Sequence, residues 1–328
     1  MRLLTMIAGV LALLYGGYWL VASRSVEAAV RAEVERLSAA GLGSAAEVRL
    51  EGFPSRFDLT FEAPEVLDRS GLTGWRAPFL QVFALAYRPN HVIVVWPNEQ
   101  EVMLAGLPLA VTSADMRASA VVAGTDIALD HMTYVAKDLR LAPPDGAGIG
   151  LGEARLATRR APALDNGHDL GVALLGLTPD PALRATLDPG GTLPDSLDWL
   201  RLDAGLAFDR PIDRFAGAGD GPRVTAVDLR EVSLRWGTLS LEGKGRVAAD
   251  SAGLAEGRID LVARDWRRLV ALAAQAGMVK PELAPTFEAM LDQIDAADGD
   301  PDALRAPLVW KDGRTRLGPI PLGPAPRF

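Results

Sequence analysis

Histidine is the side chain best suited to act as a base near neutral pH, and the chain has three histidines, His91, His131 and His168. A hydrolase would need one of them beside a nucleophilic serine and a carboxylate. The sequence has neither the Gly-x-Ser-x-Gly turn of many hydrolases nor the His-Glu-x-x-His pair of zinc peptidases. Each histidine lies in a strand pattern or beside a turn, where a histidine more often has a structural role than a catalytic one. We therefore predict no catalytic residue. A hydrolase with carboxylate or serine chemistry is kept as a third hypothesis, after the two main ones given at the end of this section.

Metal and cofactor chemistry has equally little support in the sequence. The chain has no cysteine, which excludes disulfides, thiolate ligands and cysteine nucleophiles. Asp298, Asp300 and Asp302 have the spacing that begins a calcium-binding loop. However, Ala303 and Val309 stand where that loop needs a glycine and a glutamate. We predict a solvated helix end there, with no metal site and no cofactor.

Length and charge limit the classes that remain. The chain has 328 residues, enough for one large domain or two ordinary ones, and 49% of them are hydrophobic, enough for a sizeable core. The net charge of −8 argues against a general nucleic-acid binder, which usually has a basic surface. We predict no nucleic-acid partner.

The N-terminal residues indicate a membrane segment. Residues from Leu3 to Ser23 are uncharged, and as a helix they would be about 31 Å long, close to the hydrocarbon thickness of a bilayer. Arg2 favours a cytosolic N-terminus, with the rest of the chain in the periplasm. We predict a single-span inner-membrane anchor, and a cleaved signal peptide is the alternative. The predicted anchor residues bound the aliphatic core or belong to the aromatic group that follows it: Leu3, Leu14, Tyr15, Tyr18 and Trp19.

Helical spacing recurs in three later segments. Residues 25–40 place valines and a leucine three or four apart, and Gly41 is suited to end that helix. Asp265 is suited to begin a helix over 266–276, and Pro285 a second one. Between these segments, apolar and polar residues alternate, as in half-buried antiparallel strands. The prediction is a mainly β protein with some α: a transmembrane helix, then a large antiparallel curved sheet or sandwich with a few packing helices.

The predicted domains are an anchor at 1–23, an amphipathic helix at 24–43 and a β-rich periplasmic body at 44–328. Several prolines at 177–195 mark a candidate subdivision of the body.

One stretch, from Pro78 to Pro97, has apolar residues at both odd and even positions, so they would point to both faces of a strand. Such strands have apolar neighbours on both faces, from a second layer, a helix or a ligand. Residues Arg88–Asn90 are predicted to form the turn inside this stretch. The candidate lining of an apolar groove is Phe79, Val82, Phe83, Leu85, Val94 and Trp96.

Several segments resemble a known family over nearly the whole chain: Gly52–Leu59, Trp75–Pro78, Tyr87–Ile93, Trp236–Ser240, Asp265–Leu269 and Leu317–Leu322. With the N-terminal span, they resemble the uncharacterised Gram-negative family called domain of unknown function 2125. That family has no established activity, so the resemblance implies no catalytic residue. A looser similarity, in the C-terminal third, is to AsmA-like envelope proteins. It implies an inner-membrane anchor, a groove-shaped β body in the periplasm, and a link with lipid transport or outer-membrane homeostasis.

These observations lead to two main hypotheses. In the first, the anchored periplasmic protein holds an acyl chain or another apolar ligand in its sheet and handles lipid in envelope homeostasis. In the second, it is a non-catalytic assembly or scaffold factor that binds another envelope protein through a strand edge or a sheet face.

Overall fold

The computed structural model describes residues 2–144, 146–216, 221–275, 284–298 and 303–328. Its strands pair antiparallel in an open sheet, which confirms the prediction of a mainly β protein with packing helices. The chain divides into two compact units. Unit 1 contains Met1–Val122 and Tyr134–Gly146, and unit 2 contains Ala123–Thr133 and Ala147–Phe328.

Unit 1 combines a long helix with short strands. Its elements are α1 (Arg2–Ala39), β1 (Gly43–Ser44), β2 (Glu47–Glu51), β3 (Arg56–Glu62), β4 (Glu65–Leu67), β5 (Gly74–Arg76), β6 (Phe79–Leu85), β7 (Arg88–Val95), β8 (Glu99–Leu104), β9 (Leu107–Thr112), β10 (Asp115–Ala123) and the second part of β11 (Ala128–Ala142). One ladder has the order β2-β3-β6-β7-β10 and the other β1-β4-β5-β8-β9-β11. The buried Gln100 on β8 joins the ladders, because its Nε2 donates to Met116 Sδ on β10 at 3.1 Å.

Helix α1 is continuous from the predicted membrane segment into the predicted amphipathic helix. It ends as the sequence predicts. Gly41 has a φ of 68°, and the Leu42 N–H donates to the Leu37 carbonyl at 2.9 Å. This pairing satisfies a carbonyl in the last turn that has no partner within the helix. Beyond the membrane segment, Val30 and Val34 are half-buried, and α1 packs against β1 and β2.

The turn predicted at Arg88–Asn90 is wrong, because β7 already begins at Arg88 and the turn is Ala86–Tyr87. The N–H of Ala86 donates to the Ser55 carbonyl at 2.9 Å, which fixes the turn at this earlier position. Pro89 is tolerated in the strand because the pairing of β6 with β7 changes register beside it.

The described part of unit 2 is a meander of longer strands with three helices. Its elements after the first part of β11 are β12 (Ile149–Arg160), β13 (His168–Thr178), α2 (Pro181–Leu187), β14 (Leu197–Phe208), β15 (Val224–Trp236), β16 (Leu239–Ala249), β17 (Ala255–Arg264), α3 (Trp266–Gln275), α4 (Ala284–Asp298), β18 (Leu304–Lys311), β19 (Arg314–Leu317) and β20 (Ile320–Pro324). Each strand from β12 to β20 pairs with the next along the chain. The candidate subdivision at 177–195 lies inside this unit and contains α2.

The helices of unit 2 cover one end of one sheet face. Helix α3 begins at the predicted residue, but its first turn is satisfied by the backbone carbonyl of Asp265. The Asp265 carboxylate instead accepts a hydrogen bond from the Thr238 hydroxyl at 3.0 Å. Trp266 on α3 and Leu291 on α4 are buried in one apolar cluster with Ala263, Leu304 and Ile320 of the sheet. This cluster holds the helix pair on the last strands of the meander.

Candidate functional site

The three histidines lie in three different environments. His91 Nε2 is 2.8 Å from Ser119 Oγ on the neighbouring strand, and Nδ1 of the exposed His131 is 2.9 Å from a carboxylate oxygen of its neighbour Asp130. His168 is buried, with its Nδ1 3.3 Å from Thr158 Oγ1. Among the described residues, the His91–Ser119 pair has no hydrogen-bonded carboxylate beside it. The geometry therefore supplies two members of a triad and not the third.

The predicted groove residues lie on both faces of the first ladder of unit 1. Val82 pairs with Val94 on one face, together with Leu59 of β3. Phe83 pairs with Ile93 on the other face. Phe79 and Leu85 share the face of Phe83, and Trp96, just beyond β7, packs edge-on against Tyr134 with ring centroids 6.1 Å apart. All six side chains are half-buried. The structure thus brings Val82 and Val94 together and separates them from Phe79, Phe83 and Leu85.

Unit 2 contains an apolar pocket that the sequence analysis did not single out. We call it the leucine cavity. It has a volume of about 370 Å³ and lies where α2 and α3 meet the ends of the strands. Every residue that lines it is apolar: Ile149, Leu177, Pro179, Leu183, Leu187, Leu197, Leu234, Trp236, Leu239, Leu269, Leu272 and Ala273. The one polar group of Trp236, its indole N–H, donates to the Pro194 carbonyl at 2.8 Å. The cavity therefore presents carbon surface and no charged group.

Short local features build this cavity. Asp180 caps α2, because its carboxylate accepts the N–H of Ala182 at 2.8 Å, and Pro181 occupies the first helical position. Helix α2 thereby places Leu183 and Leu187 over the cavity. From the sequence alone, the prolines at 177–195 mark a candidate subdivision of the body. The signal that could have revealed the helix is the Asp180-Pro181 pair before two leucines four residues apart.

The face of the meander that contacts the helices is apolar well beyond them, and we call it the apolar face. It consists of rows of side chains that lie opposite each other in the ladder. Two of these rows are Val172-Leu202-Val232-Gly243-Leu261-Ala306 and Leu170-Ala204-Leu229-Gly245-Ile259-Leu308. Most of the large side chains in these rows are only half-buried. Within the described part of the chain, Leu239 and Ile320 are the largest fully buried side chains.

The opposite face of the meander is charged. Asp169 Oδ2 accepts from Arg159 Nε at 3.1 Å, and Asp169 Oδ1 accepts from Arg230 at 2.8 Å. Arg230 also donates to Asp203 at 2.6 Å. A hollow of about 920 Å³ lies along these groups. Burial raises the pKa of Asp169, but the hydrogen bonds from Arg159 and Arg230 outweigh it and hold the pKa below its usual range. The cations and carboxylates are thus paired with each other.

The Asp169 network predicts acid-sensitive stability. Because the folded-state pKa of Asp169 is lowered, this carboxylate contributes stability above its unfolded pKa of about 3.9, and the contribution is lost as the pH falls through the folded pKa. We expect Asp169→Asn to lower the free energy of unfolding at neutral pH by about 1 kcal/mol or less, since the pairs are partly exposed. Urea unfolding of the detergent-solubilised chain near pH 7 and near pH 3 measures this. If the free energy of unfolding fell by the same amount on acidification in the unchanged protein and in the Asp169→Asn variant, the prediction would be contradicted.

No cluster of three or more metal-ligating side chains occurs in the described parts of the chain. Of the aspartates with calcium-loop spacing, Asp300 and Asp302 lie outside the described residues.

The predicted anchor residues belong to α1. Residues Leu4–Ala39 include a stretch long and apolar enough to cross a membrane, with a mean hydropathy of 1.8 and no part of that stretch buried. Length and composition alone also fit a signal sequence. Leu14 and Tyr15 are exposed. Tyr18 and Trp19 instead contact the body of unit 1: the Tyr18 hydroxyl donates to the Ala86 carbonyl at 3.0 Å, and Trp19 Nε1 to the Arg56 carbonyl at 2.9 Å.

A family model described as "Uncharacterized protein conserved in bacteria (DUF2125)" matches residues 19–326. No curated protein and no solved structure matches the chain.

Proposed function

Because the chain belongs to DUF2125, an uncharacterized protein family conserved in bacteria, and because unit 2 holds the leucine cavity, we propose that this protein is a membrane-anchored binder of an acyl chain. The observation that carries the proposal is the composition of the cavity wall, which is apolar throughout and therefore suits a hydrocarbon ligand. The ligand is the lipid or apolar molecule of the first hypothesis.

The size of the cavity is adequate for this role. Its volume of about 370 Å³ is within the range of about 300–1,000 Å³ that is typical of ligand pockets. Burying each methylene of an acyl chain gains about 0.8 kcal/mol. Ten methylenes would therefore gain about 8 kcal/mol, equivalent to micromolar affinity before the costs of association. A ligand of this kind needs no charged partner in the cavity.

The apolar face supplies a continuation of the cavity. Leu200 and Leu234 pair at the edge of the helices, and Leu202 and Val232 form the next row on the same face. Half-burial of these side chains leaves apolar surface that water or a ligand must cover. Gly243 lies in the row of Leu202 and Val232, and the side chains of Val232 and Leu261 lean over it, since a Cβ there would be 2.9 Å from an atom of each. The row is therefore a continuous hydrocarbon surface on which an extended acyl chain could lie.

The membrane location rests on α1. We propose that its apolar segment stays in the inner membrane as a single span, with the N-terminus in the cytosol and both units in the periplasm. The support is the hydropathy of the segment, Arg2 before it and the looser similarity to AsmA-like envelope proteins. A binder held at the membrane has lipid as its nearest apolar ligand.

We propose that the role is binding rather than catalysis. His91 contacts Ser119 without a hydrogen-bonded carboxylate among the described residues, and the leucine cavity contains no titratable side chain. Acid-base chemistry requires such a group within reach of the ligand.

The test of the proposal uses the full chain, purified in a mild detergent. Mass spectrometry of the extracted protein is expected to find a co-purifying lipid, and a labelled long-chain fatty acid is expected to bind saturably and be displaced by the unlabelled acid. Micelles without protein give the background. Repeated absence of both signals would sink the proposal. In that case, one dominant protein partner captured by crosslinking in cells would favour the scaffold hypothesis instead.

A further inference from the structure

Two exposed aromatic residues of unit 1 lie beside the membrane segment of α1. Phe53, in the loop before β3, and Tyr87, in the β6–β7 turn, are 63% and 68% exposed. Large exposed aromatics are costly in water but favourable at a membrane interface, where an amphipathic ring meets both lipid and headgroups. Their position relative to α1 decides which environment they meet.

Direct contacts fix that position. The Phe53 ring packs edge-on against Trp19, with ring centroids 5.2 Å apart, and a Cβ at Gly16 would be 3.8 Å from the Phe53 ring. The turn that contains Tyr87 is held by the hydrogen bond from the Tyr18 hydroxyl to the Ala86 carbonyl. Both aromatic residues therefore lie at the level of residues 16–19 of the helix.

The length of the helix then determines their depth. From Leu4 to Gly16 the helix rises only about 18 Å, whereas the hydrocarbon core of a bilayer is about 30 Å thick. Crossing the membrane requires residues up to about Ser23. If Leu3–Ser23 spans the core, the Phe53 contact at Gly16 is about 10 Å inside its outer boundary. Polar loop backbone is excluded from the hydrocarbon core, so local thinning of the bilayer or a shift of the helix along its axis places this contact in the outer interfacial layer.

We propose that the Gly52–Arg56 loop and the Ala86–Arg88 turn form a membrane-contact edge, with Phe53 and Tyr87 inserted into the outer interface of the phospholipid bilayer. Arg56 and Arg88 flank the two aromatic residues and are exposed. Arg56 donates to Asp58 at 2.7 Å, and the exposed remainder of its guanidinium, like that of Arg88, can face lipid phosphates. Unit 1 is therefore seated on the bilayer and is not a body on a flexible tether. This inference rests on the membrane anchoring in the proposed function and goes beyond it.

The absence of cysteine allows a direct measurement of depth, because a single introduced cysteine can be labelled specifically. The full chain is reconstituted in phosphatidylethanolamine–phosphatidylglycerol vesicles, with an environment-sensitive fluorophore on Phe53→Cys or on Tyr87→Cys. Leu107→Cys, at a 67% exposed residue of the same unit, is the matched control, and Leu11→Cys reports the span itself. Spin-labelled lipids quench fluorophores that lie in the bilayer.

We expect blue-shifted emission and loss of fluorescence at positions 53 and 87 with shallow spin labels, strong quenching at position 11 with deep ones, and no effect at position 107. Quenching at 11 without quenching at 53 and 87 overturns the membrane-contact edge and leaves the anchor standing. No quenching at 11 overturns the anchor and the edge together. Fatty-acid binding is measured separately, so its failure leaves this result intact.

Discussion

Replacing Ala273 with phenylalanine is expected to lower the affinity for a labelled long-chain fatty acid by at least tenfold. Ala273 lies on α3, is half-buried and lines the leucine cavity. A phenyl ring at this position fills part of a space of about 370 Å³. Excluding two or three methylenes of the ligand costs about 0.8 kcal/mol each, and 1.4 kcal/mol is already a tenfold change in affinity. Equilibrium titration of the detergent-solubilised variant measures the change.

The same helix offers a matched control. Ala271 is exposed and does not line the cavity, so Ala271→Phe adds the same ring to α3 outside the binding space. We expect it to bind the fatty acid as the unchanged protein does. Thermal unfolding of both variants distinguishes a filled cavity from a damaged fold. Equal affinities for the two variants, both folded, would show that the ligand lies elsewhere.

An apolar ligand would also resolve a feature of the fold that packing alone does not explain. A sheet with one charged face and one apolar face is stable when a second layer covers the apolar one. In unit 2, helices α2, α3 and α4 cover the end that carries Leu234, Leu241 and Leu304. The rows that contain Leu202 and Ile259 continue the apolar surface but are only half-buried. A bound chain along these rows would remove that surface from water.

Much of the fold could be predicted from periodicity. The end of α1 at Gly41, the start of α3 after Asp265 and the antiparallel strands follow from local spacing and capping residues. The misplaced turn shows the limit. Pro89 suggested a turn, but contacts from Ser55 and α1, far away in sequence, fix the turn at Ala86–Tyr87. The last strand, β20, contains Pro321 and Pro324, which local preference disfavours in a strand, and its pairing with β19 overrides that preference.

The candidate site was harder to predict than the fold. A period of two assigns residues to a common face, as it does for Val82 and Val94, but it does not say what covers that face. In β6 apolar residues occur at both odd and even positions, so the predicted groove residues lie on opposite faces of one ladder. The leucine cavity is assembled from helices and strands more than fifty residues apart, such as Leu183 and Leu239. No single segment of the sequence contains that arrangement.

Introducing two arginines, Leu11→Arg and Leu13→Arg, is expected to release the full chain from the membrane fraction of cells. Both leucines are exposed on α1, inside the segment that we propose to cross the bilayer. Each arginine near the centre of a membrane helix costs about 2.5–3.5 kcal/mol, so the pair opposes insertion by about 5–7 kcal/mol. Arginine forms helices about as readily as leucine, so the change acts on insertion rather than on the helix. Carbonate washing of the membranes, followed by immunoblotting, measures the retained fraction.

The control adds the same charge to the same helix beyond the proposed span. Ala29 and Ala32 are exposed on α1, and Ala29→Arg with Ala32→Arg is expected to leave the chain in the membrane pellet. Retention of the Leu11→Arg, Leu13→Arg variant would show that α1 does not hold the protein by crossing the bilayer. An intact-mass measurement of the unchanged protein separates the remaining alternatives. Loss of the N-terminal residues identifies a cleaved signal peptide, whereas the full mass together with release of the Leu11→Arg, Leu13→Arg variant identifies an anchor, because an uncleaved helix is then what holds the chain in the membrane.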